Sequence, residues 1–399
     1  MNKAILFVFF SVLFPARTFP QSAPDNRHAD AVAFAAPDSA VKSIQSLSSW
    51  LNANLHTGRE LVRAFYTWTA TNIDYDVENM FSFRSKDDPQ SIVARTLRER
   101  KAVCQGYSGV FHELCDKAGI ENYMVMGYSR QNGQVVTINH AWVAARIDTC
   151  WYLFDPTWGS GFLINGKFTR RFTDEYFMVS PAVFIQSHMP FDPLWQCLHY
   201  PVTSRDFLRG TFPKKDTSQY FSYPDSIRAY NSLTPGDKFS ATLRRVEKNG
   251  VSNNSVAEYL RYLQQSIDIE MANHQNEVQN QLVNQFNEAV NHYNTASLLF
   301  NDYIGYWNHQ FKPARPDALI QKMVDSCNYH LAKSRNILAA IEPEQETLRQ
   351  NKETLLKAIG ENQKHVNEQN AFLKEYFMTP KVSRGALFTR YPGPVGKTR

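Results

Sequence analysis

Long apolar stretches are almost absent from this sequence. After residue 14 no segment approaches the roughly 18 consecutive apolar residues that a membrane-spanning helix needs, so no integral membrane segment is expected beyond the N-terminus. A charge imbalance is missing too. The 43 Lys and Arg against 38 Asp and Glu leave a formal net charge of +5, too small for the basic field that drives nucleic-acid binding. No nucleic-acid partner is therefore expected. No acidic loop with regular ligand spacing occurs, which argues against a calcium requirement. No metal and no cofactor are expected. No internal repeat is present. Cysteine is sparse and odd in number: Cys104, Cys115, Cys150, Cys197 and Cys327 leave at least one thiol unpaired and a candidate for reactivity. Whether Cys150 and Cys197 pair is left open.

What is present starts at the N-terminus. Lys3 precedes an apolar run from Ala4 to Phe14, ended by Pro15. That run is too short to span a bilayer and fits the apolar region of a signal peptide, with cleavage expected between Ala16 and Ala23. Residues 1–23 are thus read as a signal peptide and the mature protein as exported, periplasmic or extracellular. The 399 residues suggest two or three domains, and a hydrophobic share of 43% supplies a sizeable core.

Residues 24–37 read as a mobile lead-in, followed by a helix over 39–55. Thr57-Gly58-Arg59-Glu60 has the form of a capping box and opens a second helix, with Leu61, Ala64, Phe65 and Trp68 on one face. Asp88-Pro89 opens a third, Asp suiting the N-cap and Pro the first turn. A fourth begins at Cys104. Its apolar face runs through Tyr107, Phe111, Leu114 and Cys115, and Gly119 closes it. The period then changes to two: residues 122–128, 135–138, 140–147 and 150–154 read as four strands, with Gln131-Asn132-Gly133 and Asp148-Thr149 at turns. Helices followed by an antiparallel meander define an α+β class. Residues 163–210 read as irregular and 210–252 as a linker. From Asn253 Pro and Gly become scarce, and stripes such as Val256, Leu260, Leu263, Ile267 and Val278, Leu282, Phe286, Ala289 predict long helices, broken near Pro313 and Pro316 and again at Pro343. Residues 253–377 are expected to form an antiparallel helical hairpin or bundle, coiled-coil-like, and 378–399 a basic disordered tail.

A cysteine nucleophile needs a stabilised thiolate, a base within reach, and a group that holds the base in one tautomer. Cys104 opens a helix, where unpaired N–H groups and the positive dipole end favour a thiolate. His140 stands near the start of a strand, and Asp155 ends the next strand in Trp151-Tyr152-Leu153-Phe154-Asp155. Adjacent antiparallel strands can set His140 beside Asp155 with the sheet against the Cys104 helix, so the order Cys, His, Asp is workable. Taken singly, each has a plainer reading: a buried small hydrophobe, a half-buried histidine, a turn former. Cys115 reads as core, His112 as solvated, and His188 and Trp195 as packing residues.

Ala102-Val103-Cys104-Gln105-Gly106-Tyr107-Ser108 resembles the nucleophile motif of the transglutaminase-like superfamily. Asn139-His140-Ala141-Trp142-Val143 resembles its histidine motif and Phe154-Asp155-Pro156-Thr157-Trp158-Gly159 its aspartate motif. Upstream, Tyr66-Thr67-Trp68 and Asn72-Ile73-Asp74-Tyr75-Asp76 resemble the segment that precedes the cysteine. Phe184-Ile185-Gln186-Ser187-His188-Met189-Pro190, with Trp195-Gln196, resembles the bacterial branch related to the kyphoscoliosis peptidase. The resemblance covers roughly residues 40–200. It implies a papain-like fold within a domain at 24–209, and acyl transfer through a thioester. It also makes Trp68 a candidate oxyanion donor beside the Cys104 backbone N–H.

Two enzymatic readings share the first half-reaction. In one, a peptidase or amidase releases the thioester with water. In the other, a transglutaminase releases it to an amine. A non-catalytic scaffold or binding protein is the third reading, although such decay usually loses a member of the triad. A protein or peptide substrate is expected, and the C-terminal helices are a candidate surface for a protein partner.

Overall fold

The computed structural model describes residues 25–81, 88–212 and 220–391. The expected signal peptide at 1–23 lies outside the described residues, as do residues 392–399 of the tail. Two compact units divide between Asp268 and Ile269.

In the first unit, α1 (Arg27–Phe34) occupies the expected lead-in. Its Asp30 accepts bidentate hydrogen bonds from Arg63, so this segment is anchored. A 3-10 turn at Ala40–Lys42 precedes α2 (Ile44–Asn54), which starts late because Ser43 and Ser46 cap each other reciprocally. The helix α3 (Gly58–Asn72) opens on the capping box read from Thr57 and Glu60. The short strand β1 (Asp74–Tyr75) follows. The helix α4 (Pro89–Glu99) is capped by Asp88, and β2 (Lys101–Ala102) pairs with β1 in parallel register, Tyr75 opposite Ala102. This pair fixes the chain two residues before α5 (Cys104–Lys117). The N-cap Val103 offers no side-chain bond, which leaves the first N–H groups of α5 without a capping partner.

The main sheet follows: β3 (Asn122–Gln131), β4 (Gln134–Ile147) and β5 (Cys150–Phe154), all antiparallel. The two strands expected at 135–138 and 140–147 are one strand. The register shift on the partner strand, between Tyr128 and Arg130, absorbs the irregularity. At the β3–β4 turn Asn132 and Gly133 both have positive φ, the twist a tight hairpin requires. Beyond β5 come α6 (Pro156–Ser160), the hairpin β6 (Gly161–Ile164) and β7 (Lys167–Arg170), and α7 (Pro181–Phe184). The strand β8 (His188–Pro190) then completes the sheet in the order β5-β4-β3-β8. The segment read as irregular therefore supplies a sheet edge. Gly127 of β3 permits that pairing, because a Cβ there would collide with the Met189 carbonyl oxygen and the Trp142 ring.

One face of the sheet packs on α2, α3 and α5 through Leu47, Phe65, Trp68, Phe111, Val143 and Phe154, all buried. Aromatic and aliphatic residues cover the other face, with Trp142, Leu153 and Trp195 in one cluster and Tyr128, Met189, Phe207, Val246 and Leu263 in another. The second cluster corrects the linker reading of 210–252. After α8 (Ser204–Arg209), residues 223–249 form α9 (Tyr223–Asn231) and α10 (Pro235–Asn249). Arg245 makes a bidentate pair with buried Asp192, at 2.8 and 2.6 Å. The Pro and Gly that look like linker punctuation are helix boundaries. Pro224 and Pro235 lie in first turns, Thr234 caps α10, and Gly250 follows its end.

The helix α11 (Asn254–Asn308) begins in the first unit and continues into the second, where α12 (Asp317–Ala340) and α13 (Glu346–Met378) follow. The unit boundary thus falls within the segment expected to be wholly a separate helical domain. The core of the second unit runs along Ala289, Ala296, Tyr303, Val324, Leu331, Ile359 and Phe372. The tail expected to be disordered is helical over much of its described part. A 3-10 helix spans Lys381–Ala386, and α14 (Leu387–Arg390) buries Leu387. Its basic residues find acids: Arg384 bonds Asp317 at 2.8 and 2.9 Å and lies over the Tyr376 ring, and Arg390 pairs with Glu375. Among the described residues no helix is long and apolar enough to cross a membrane.

Candidate active site

The antiparallel register of β4 and β5 places Val143 opposite Phe154, so His140 lies beyond the paired stretch on one strand and Asp155 just past the end of the other. There His140 Nε2 and Asp155 Oδ2 are 2.7 Å apart, both residues buried. With Nε2 committed to the carboxylate, Nδ1 is the ring nitrogen left to face a third group. The Cys104 sulfur, at the head of α5, stands near enough to that ring to help raise its pKa, and lies 4.0 Å from the Asn139 carbonyl oxygen. The structure therefore brings Cys104, His140 and Asp155 together at the meeting of a helix N-terminus and two strand ends. All five cysteines are free, so Cys150 and Cys197 do not pair.

Burial opposes charge on the His140 ring. The Asp155 carboxylate and the Cys104 sulfur outweigh it and raise the ring from 6.5 to about 10. Burial likewise works against ionised Asp155, but the two imidazoles beside it hold the carboxyl well below its usual range. Asp155 is also the N-cap of α6: its Oδ1 accepts the Thr157 and Trp158 backbone N–H groups at 2.9 and 3.1 Å. The sequence Asp-Pro-Thr-Trp thus serves both readings given to it, turn former and orienter.

The second imidazole is His188 of β8, whose Nε2 lies 3.1 Å from the same Asp155 Oδ2. As expected, His188 packs the domain, stacking on Phe184. It also reaches the site's carboxylate, which the sequence alone did not indicate. The only available signal was its place four residues after Phe184 in a motif that the resemblance already covered. His140, Asp155 and His188 bring three ligand-type atoms within 4.8 Å of one another. Both ring nitrogens, however, are accounted for as donors to one oxygen, and 2.7 Å is an N–H···O length.

Trp68 is buried on α3, with the Arg100 guanidinium 4.6 Å above its ring, and is not among the residues that line the two cavities described below. Its spacing on α3 turns it into the helix–sheet interior. His112 is half-buried, and its Nδ1 lies 2.5 Å from Asn122 Oδ1.

Two cavities border residues next to the cysteine, one at Asn139 and His140 and the other at Gln105 and Asn139. A pocket of about 60 Å³ opens at His140 between Tyr75, Ile138, Trp158, Phe162 and Phe168. A larger one of about 550 Å³ is lined by Gln105, Met124, Met126, Phe191, Tyr259 and Tyr262. Asn139 borders both. Tyr75, carried beside the nucleophile turn by the β1–β2 pair, keeps its proton, because burial and the nearby Cys104 raise its hydroxyl.

Residues 45–156 match the model of the Transglutaminase-like superfamily, and the chain carries a transglutaminase-like domain. Kyphoscoliosis peptidase of Homo sapiens is 35% identical over 191 residues, covering 46% of this chain and 28% of that protein. Hillarin of Drosophila melanogaster is 25% identical over 214 residues, covering 49% and 25%. The chain thus spans about a quarter of the length of these relatives. A solved TGase structure covers 32% of this chain and 32% of its own, at 20% identity and a TM-score of 0.22.

Proposed function

We propose that this protein is a cysteine acyl-transfer enzyme, most simply a peptidase or amidase acting on proteins or peptides. The observation that carries this reading is the joint placement of the Cys104 sulfur, the His140 ring and the buried Asp155 carboxylate, the last two 2.7 Å apart. His140 takes the thiol proton at Nδ1 and the sulfur attacks an amide carbonyl. The developing oxyanion faces the uncapped N–H groups at the head of α5. The imidazolium then gives its proton to the leaving amine, and the acyl group remains on sulfur as a thioester. Water, deprotonated by His140, attacks that thioester and restores the thiol. An amine attacking in place of water would give transamidation from the same intermediate.

The test uses no natural substrate. Cys150 is free and exposed, and so serves as an internal reference. Iodoacetamide at about pH 6 should label Cys104 at least about tenfold faster than Cys150, because an ion-paired thiolate persists where an ordinary thiol is protonated. Equal rates would favour the scaffold reading. With a glutamine-containing peptide and an added primary amine, hydrolysis predicts free carboxylate as the main product, and amine incorporation would assign the transglutaminase reaction instead.

A further inference from the structure

We propose that His188 is a positioning residue of this site: its Nε2–H, given to Asp155 Oδ2, locks the carboxylate oxygen that orients His140. This inference rests on the triad reading of Cys104, His140 and Asp155.

Asp155 is fully buried and its acceptor sites are filled from four directions. Two backbone N–H groups of α6 hold Oδ1, and His140 and His188 share Oδ2 at 2.7 and 3.1 Å. A carboxylate bound through Oδ1 alone can still pivot about its Cβ–Cγ bond. The second donor on Oδ2 removes that freedom, and with it the play in the His140 ring.

A second cation beside His140 would oppose the first, so His188 serves only if neutral. Burial pushes its ring down to about 4, against the pull of Asp155. The tautomer is also set. An ionised carboxylate only accepts, so Nε2 carries the proton. Nδ1 is then an acceptor, and the Ser187 hydroxyl lies 2.8 Å from it. The ring plane is fixed by Phe184, stacked at 3.9 Å between centroids, and by Trp158 at 4.4 Å. The titratable groups facing His188 are Asp155, His140 and, at 6.1 Å between rings, Tyr176; beyond His140 stand Cys104 and Tyr75.

Two substitutions in the full chain separate donation from packing. His188→Phe keeps the aromatic stack and loses the donor. His188→Gln loses the stack and can place an amide N–H near the Nε2 position. The readout is the rate of Cys104 alkylation by iodoacetamide between about pH 5 and about pH 9, resolved from the other cysteines by peptide mass spectrometry. His188→Phe should slow labelling near pH 6 by at least about tenfold and move the acid limb upward, because a loosened His140 stabilises the thiolate less. His188→Gln should stay within about threefold of the parent with the limb unmoved. Ser187→Ala, which leaves the stack intact, should move the limb upward by less than His188→Phe does. Equal losses in the Phe and Gln variants, a Phe variant more reactive than the Gln variant, or an unmoved limb in both the Phe and Ser187→Ala variants would overturn the proposal. Failure of the triad reading looks different: Cys104 in the parent would label no faster than Cys150, or would be indifferent to His140→Ala.

Discussion

His140→Ala should lower the rate of amide or ester cleavage by at least about a thousandfold, with most of the loss in kcat. The ring is the base that this arrangement sets beside the Cys104 sulfur. Its loss removes both the proton acceptor for the thiol and the proton donor for the leaving amine. Asp155, though buried and ionised, cannot replace it, because both of its oxygens are held at other partners. The stability consequence has a defined sign. The folded His140 ring is raised to about 10 from 6.5, so its contribution is complete below 6.5 and fades as pH rises through about 10. The alanine variant should therefore differ most from the parent in melting temperature below about pH 6.5, and least above about pH 10. Turnover measured as kcat and KM, together with melting curves across pH, checks both statements.

Asp155→Asn should cost about ten-thousandfold in kcat while leaving the backbone in place. The geometry gives the reason. The Thr157 and Trp158 N–H groups require an acceptor at Oδ1, so the asparagine carbonyl must turn toward them and its NH₂ must face the two histidines. His140 then becomes an acceptor at Nε2 and carries its proton on Nδ1, the nitrogen that should receive the thiol proton. His188 loses an acceptor and gains a donor at the same point. Asp155 lies below its ordinary 3.8 in the folded protein, so its contribution to stability is complete above that value and lost as pH falls. His188, held near 4 against 6.5, adds an acid sensitivity of its own, since protein that keeps it neutral loses stability as pH drops from 6.5 through about 4. In the Asn variant the acid loss below about pH 4 should flatten, and a melting-temperature profile displays it.

The legible part of this site lay in local chemistry. The Thr57 capping box, the Asp88-Pro89 start and the helix head at Cys104 are each set within a few residues, and all three appear in the structure. The period-two runs around His140 and Asp155 fixed two neighbouring strands, and adjacency then brings their ends together. What depended on distant partners was not legible. The three residues of β8 are too few to show a period, and become a strand only because Gly127 leaves room beside β3. The helices of the supposed linker carry Pro and Gly at their ends, which mimics a disordered composition. The basic tail takes form through Asp317 and Glu375, dozens of residues away in one case. For Trp68, a position on an amphipathic helix does not say which of its buried neighbours the indole will face.

The most direct measurement is the mass of the acyl-enzyme. Acid quenching during turnover of an activated ester or amide, followed by peptide mass spectrometry, should find the acyl group on Cys104, in amounts that fall as water or an added amine is allowed to compete. No such adduct should form in Cys104→Ala. Cleavage that persists in Cys104→Ala, or an acyl group carried by Cys150 in place of Cys104, would contradict the assignment.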